Sequence, residues 1–142
     1  MLTGRISEAR TARRGVDMDE QRPEATRLEV PADPAYLRVA RLTASAVGAV
    51  GGFDVARIED LRIAVDELVG ALIGGATPGA TVVVTFRPGP DRLAITGTAP
   101  GDGPVVLESI AEQVVRAVAG RFTLEAAEGC ITFSCTVHRK PC

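Results

Sequence analysis

Apolar and polar positions along the chain alternate in two ways, and the change from one period to the other marks the elements. Arg27-Leu28-Glu29-Val30 alternates residue by residue and is stopped by Pro31, which predicts a short strand. Asp33 then stands before Pro34, an N-cap followed by proline at the first helical position. Tyr36, Val39, Ala40, Thr43, Val47 and Val50 recur at three-and-four spacing and predict one apolar helix face, ended by Gly51-Gly52. Asp54 opens a second helix with the stripe Ile58, Leu61, Val65, Leu68 and Leu72, closed by Gly74-Gly75 and Pro78-Gly79.

Period two returns in Thr81 to Phe86 and Arg92 to Thr98, joined by the turn Pro88-Gly89-Pro90-Asp91. A glycine-rich loop, Ala99-Pro100-Gly101-Asp102-Gly103-Pro104, leads into a third helix. Its predicted buried stripe is Leu107, Ile110, Val114 and Val118, and Gly120 stops it. The chain then forms a hairpin, Phe122 to Ala126 and Ile131 to Val137, turning at Glu128-Gly129. The order β-α-α-β-β-α-β-β predicts a mainly antiparallel sheet with its helices on one face, an α/β (α+β) two-layer sandwich.

Composition narrows this picture. The 142 residues, 46% hydrophobic with a net charge of −2, suit a single domain. Residues 1–25 hold five arginines and five acidic residues without either period, so they read as a disordered or loosely docked tail and leave 26–142 as the domain. The near-neutral charge argues against a general nucleic-acid binder. No apolar run reaches the ~18 residues of a membrane span, and the N-terminus has no apolar stretch of a signal peptide, so a cytoplasmic protein is expected. Cys130 and Cys135 fall on one predicted strand, on opposite faces and about 16 Å apart, too far to bridge. Cys142 is the terminal residue, and no cluster of cysteine and histidine points to a metal site.

The middle of the second helix is the most informative stretch for chemistry. Glu67 lies about 100° from Leu68 and about 160° from Val65 around the helix, so solvent or a cleft faces it rather than the centre of the core. Gly70 and Ala71 leave open space one turn on, where a glutamate can orient or deprotonate a water or hydroxyl. Arg38, Arg41, Arg57 and Arg62 are predicted off the apolar stripes. They form either a solvated face or a surface for an acidic partner, since a guanidinium pairs bidentately with carboxylates. His138, the only histidine, is expected at a solvated chain end with Arg139 and Lys140.

The stretch Leu61 to Ala71, the helix start Tyr36-Leu37-Arg38 and the order of elements together resemble the anti-sigma factors of the serine-protein-kinase type. These RsbW-like members of the GHKL superfamily share the Bergerat ATP-binding fold of histidine kinases and gyrase-type ATPases. The resemblance spans about Arg27 to Arg139. It implies Glu67 as a catalytic base, vestigial where the nucleotide site is lost, and a nucleotide site over Gly70, Ala71, Ala99, Gly101, Asp102 and Gly103. The family's magnesium-holding asparagine falls on Ala71 and its adenine-reading aspartate on Ala99, with Asp102 three residues late as a substitute. No second glycine pair opens the third helix, and no Lys or Arg lies between Arg92 and Arg116. The resemblance therefore implies an anti-sigma factor that sequesters an alternative sigma factor and is relieved by an anti-anti-sigma antagonist of the STAS type. Its nucleotide site is lost or weakened, and no cofactor is expected unless residual activity keeps ATP and magnesium. A homodimer through the first helix region is implied, with Arg38, Arg41 and Arg57 as partner-facing residues and neither nucleic acid nor membrane as a partner. The alternatives are an active serine kinase that phosphorylates the antagonist, and an orphan scaffold or dimerisation module of the same fold.

Overall fold

A computed structural model describes residues 24–140. The tail expected over 1–25 therefore lies outside the described residues except at its last two positions, and Cys142 lies outside them too. The elements are β1 (Thr26–Pro31), α1 (Leu37–Val50), α2 (Val55–Gly75), β2 (Thr81–Pro88), β3 (Arg92–Pro100), α3 (Ser109–Ala119), β4 (Phe122–Ala127) and β5 (Cys130–His138). The five strands form one sheet in the order β1-β2-β3-β5-β4, with every neighbouring pair antiparallel.

Local signals in the sequence account for most of the boundaries. The Asp33 carboxylate accepts from the Ala35 amide and starts a 3-10 turn, Pro34–Tyr36, that runs into α1. Asp54 caps α2 by accepting from the Arg57 amide at 2.8 Å. Between β4 and β5, Glu128 (φ 55°) and Gly129 (φ 75°) both take positive φ, as a two-residue hairpin turn with the right strand twist requires.

Alternation along the strands sends one set of side chains under the helices and the other outward. Inward are Val82, Val84 and Phe86 of β2, Leu93, Ile95 and Ala99 of β3, and Ile131, Phe133, Cys135 and Val137 of β5, all buried. Outward, the paired positions Thr85, Thr96, Ser134 and Thr123 form a row of hydroxyls across four strands, and Thr123 and Ser134 hydrogen-bond at 2.8 Å. Against the inward face lies α2, burying Leu61, Ala64, Val65, Leu68, Val69, Leu72 and Ile73.

Two helix faces differ from the periodic expectation. On α1 the buried residues are Ala40, Ala44 and Gly48, whereas Val39 and Val50 point outward at 39% and 91% exposure. Small side chains let α1 approach α2 closely, with Leu61 filling the space beside Gly48. On α3 the buried residues are Val115 and Ala119. The helix begins only at Ser109, Leu107 reaches the core from the extended segment before it, and Ile110 stands outside at 77% exposure. Burial of Val115 and Ala119 sets the phase of this helix, which turns Ile110 away.

The cysteines fall on opposite faces of β5 as expected. Cys130 is half-buried, its Sγ 3.0 Å from the Thr98 hydroxyl, and Cys135 is buried among the inward set. Burial pushes the Cys135 thiol from 9.0 up to about 12. Because the folded value is the higher one, the native chain holds this proton above the pH at which the unfolded chain releases it. The stabilisation is complete below pH 9 and is lost as pH rises from 9 toward 12. The unfolding free energy from urea denaturation is expected to fall across that window by up to about 1.4 kcal/mol per pH unit, and a Cys135→Ala chain should lack this part of the slope. Equal slopes in the two chains would contradict the placement of Cys135.

Gly97 pairs directly with Phe133 across β3 and β5, and the ring lies where a Cβ on Gly97 would stand. Gly97→Ala is expected to cost about 1–3 kcal/mol in urea denaturation by overpacking. Replacing Phe133 by leucine in the same chain should make the loss smaller than the sum of the two single changes.

Candidate functional site

The approach to α3 crosses α2 beside Glu67, and between them lies a shallow cavity of about 210 Å³. Its α2 wall is Asp66, Glu67, Gly70 and Ala71. Val106, Leu107, Glu108 and Ala111 form the facing wall. Glu67 and Ala71 are half-buried, which follows from the helix phase: the positions flanking the buried stripe of α2 are covered only by the neighbouring helices. Asp66 turns toward α1, where Arg41 Nη1 donates to its Oδ1 at 3.1 Å. Both side chains are more than one-third exposed, so this bridge adds well under about 1 kcal/mol and does not by itself hold the two helices together.

Of the residues that the sequence assigns to a nucleotide, Glu67, Gly70 and Ala71 share this cavity, and Ala99, Gly101, Asp102 and Gly103 do not line it. Ala99 is an inward position of β3 at 1% exposure, paired with Ile131. Gly101 serves close packing: a Cβ there would overlap the Gly75 carbonyl oxygen and lie 2.6 Å from Ile131 Cδ1. The loop is pinned to its surroundings by Gly101 N–H donating to the Gly129 carbonyl at 2.9 Å and Thr77 N–H donating to Pro100 at 2.8 Å. Asp102 is exposed and sits by the β4–β5 turn, its Oδ1 3.7 Å from where a Cβ of Gly129 would be. Gly103 takes φ +45°, and Val105 packs between Gly75 and Gly103 against the core.

The segment Val105 to Leu107 is not helical, and α3 starts only at Ser109. The arginines also divide. Arg38 is exposed and has no carboxylate within salt-bridge distance among the described residues. Arg57 differs from the expectation of a free surface cation, since its side chain is only 11% exposed. Its Nε donates to the His138 carbonyl at 2.9 Å and its Nη1 to Asp60 at 2.6 Å, which ties the start of α2 to the end of β5. Arg57 and His138 line a second cavity, of about 450 Å³, with Arg116 and Arg121 at the C-terminal end of α3. Arg116 is held there by Glu112 at 3.0 Å and lies over the Phe122 ring at 5.0 Å.

Sequence reasoning missed Val106 and Glu108 as residues of the first cavity and counted the exposed Ile110 as buried. A periodic pattern counts apolar residues as inward and does not register that the chain here is still extended. Among the described residues no three of His, Cys, Asp and Glu are grouped to hold a metal ion, and no helix is long and apolar enough to cross a membrane.

No family model matches the chain, and no curated protein matches it in sequence. Among solved structures it is similar to the RsbU and RsbW domains of a Mycobacterium tuberculosis protein, with a TM-score of 0.63 and 18% identity over 80% of this chain. The match takes in 31% of that longer chain. At such identity the likeness is one of fold. The α+β arrangement, a five-stranded antiparallel sheet carrying three helices, is shared with the matched part of that structure.

Proposed function

We propose that the chain is a protein-binding regulator of the anti-sigma kind, which sequesters an alternative sigma factor and is relieved by a STAS-type anti-anti-sigma antagonist. The observation that supports it best is the state of the cavity beside Glu67 on an RsbW-like fold. Glu67 stands at the cavity wall, but the groups around it do not fit a nucleotide. The Ala71 side chain has no oxygen for magnesium, which takes oxygen ligands. Ala99 is covered by the core, and Val105 occupies the space between Gly75 and Gly103. The remaining space of about 210 Å³ is below the roughly 300 Å³ at which small-molecule sites begin. Binding of proteins needs none of these groups.

The second reading, a serine kinase with Glu67 as general base, draws on the position of that carboxylate at the cavity wall. The two separate cleanly. Millimolar Mg-ATP is expected to raise the Tm by less than about 1 °C, while a sigma factor of the same organism, co-expressed with the chain, co-purifies with it and is released by the antagonist. Phosphate transfer to a serine of the antagonist, abolished by Glu67→Gln, would instead establish the kinase. Failure of every sigma factor to bind, together with no phosphate transfer, leaves the scaffold reading.

Self-association belongs to the same proposal. The outward face of α1 carries Val39 and Leu42, at 39% and 62% exposure, beside Arg38 and Arg41. A second copy would bury these apolar side chains, as homodimer interfaces do. Leu42→Asp is expected to convert the dimer to a monomer in light scattering, with the Tm of the isolated fold little changed because the residue is exposed. A wild-type chain that is monomeric at tens of micromolar would remove the dimer from the proposal.

A further inference from the structure

We propose that the cavity beside Glu67 is a docking site for a partner protein segment that presents an arginine or lysine flanked by apolar side chains. The inference does not depend on the partner being a sigma factor or its antagonist, and it stands or falls on the surface itself.

Three features converge on that occupant. The first is apolar area left in water. Val106 lines the cavity at 77% exposure, and Ile110, on the first turn of α3 and outside the lining, is equally exposed. Covering apolar side chains of this size is favourable, because it removes their surface from water. Exposed apolar groups gathered around a concavity, rather than scattered, mark an interaction surface.

The second feature is charge. Glu67, Glu108 and Asp66 all line the cavity, and Asp66 alone has a salt-bridge partner, Arg41 at 3.1 Å. From Leu93 to Val115 the sequence has no lysine or arginine, so the α3 side of the rim carries no compensating cation. The start of α3 opposes a cation with roughly half a positive charge, which two unpaired carboxylates outweigh. Their excess is negative, and a cationic side chain meets it.

The third feature is size. About 210 Å³ of open, shallow space accepts one long side chain. A guanidinium suits it best, since its planar fork can take a carboxylate bidentately while its methylene stem lies on Val106 and Leu107. A metal ion is a poor alternative, because no three ligating groups converge here among the described residues.

The test uses the full chain, labelled with ¹⁵N, and two synthetic helical peptides. One carries leucines at three-and-four spacing with arginines on the flanks; the other has glutamate at every arginine position. The arginine peptide is expected to shift the amides of 66–71 and 106–111 and to bind more weakly as salt is raised. The double substitution Glu67→Gln with Glu108→Gln, and separately Ile110→Ser, should each weaken it about tenfold or more. All three sites are exposed or half-exposed, so an unchanged Tm checks that the fold survives. Equal binding of the glutamate peptide would overturn the proposal, as would shifts confined to α1. So would sedimentation showing that Ile110→Asp abolishes self-association, because the occupant would then be a second copy of the chain. No sigma factor enters this experiment, so its failure and the failure of the anti-sigma reading are separate results.

Discussion

The contact between α2 and the inward face of the sheet is the constraint from which the rest of the structure follows. Leu61, Ala64, Val65, Leu68, Val69, Leu72 and Ile73 follow one another at alternating spacings of three and one and are all buried. Burial of its larger members alone is worth about 1.5–3 kcal/mol each, comparable in sum with the whole net stability of an ordinary domain. Once that stripe is seated, the phase of the helix is fixed over its full length. Asp66 must then face α1, and Glu67, Gly70 and Ala71 must face the segment leading into α3. The candidate site is thus placed by core packing, with its polar members on the margins of a helix whose centre is committed to the sheet.

The glycine-rich loop shows how the same scaffold can carry different chemistry, as folds commonly do. Its glycines are explained by contacts inside this molecule. Gly101 lies against the end of α2 and Ile131, and the turn at Gly103 brings Val105 down onto Gly75. Ala99 follows from the alternation of β3. Counting inward positions from Leu93 through Ile95 and Gly97 brings residue 99 beneath the helices, where a lone carboxylate would bear a desolvation cost of several kcal/mol without a partner. Alanine there and valine at 105 are mutually consistent: both fill this region with apolar atoms.

How much of this was legible in the sequence depends on how local the signal is. The caps Asp33 and Asp54, the glycine pair after α1 and the Glu128-Gly129 turn act within a few residues, and each element they bound is present. The side-chain alternation of β2, β3 and β5 gave the sheet its correct inner face. The faces of α1 and α3 were not legible in the same way. Periodicity favours large apolar residues as the buried set, but helices that lie close together bury small ones, so Ala40, Ala44 and Gly48 went in and Val39 and Val50 out. Glu67 could be found because its angle around α2 is a property of one helix. Its facing wall could not, since that depends on where an extended segment returns across the molecule. Arg57 illustrates the same limit: its spacing marks a surface residue, and only the distant end of β5 turns it into a strut.

The net charge of −2 conceals a segregation that matters more than its total. Arg38 and Arg41 stand on α1, whereas Glu67 and Glu108 border the cavity on the other side of α2. Arg41 and Asp66 meet between them at 3.1 Å, in water-exposed geometry that contributes little stability. The bridge therefore marks a seam where two surfaces of opposite sign adjoin, and the helices keep their places through Leu61, Leu68 and their neighbours whether or not it forms. Apolar side chains accompany both signs, Val39 and Leu42 on one side and Val106 and Ile110 on the other. A surface so divided favours contact with proteins over contact with a uniform polyanion, because each half offers apolar area together with one sign of charge. Recognition can then depend on matching the two halves separately, and the rigid helix between them sets the spacing at which a partner has to match.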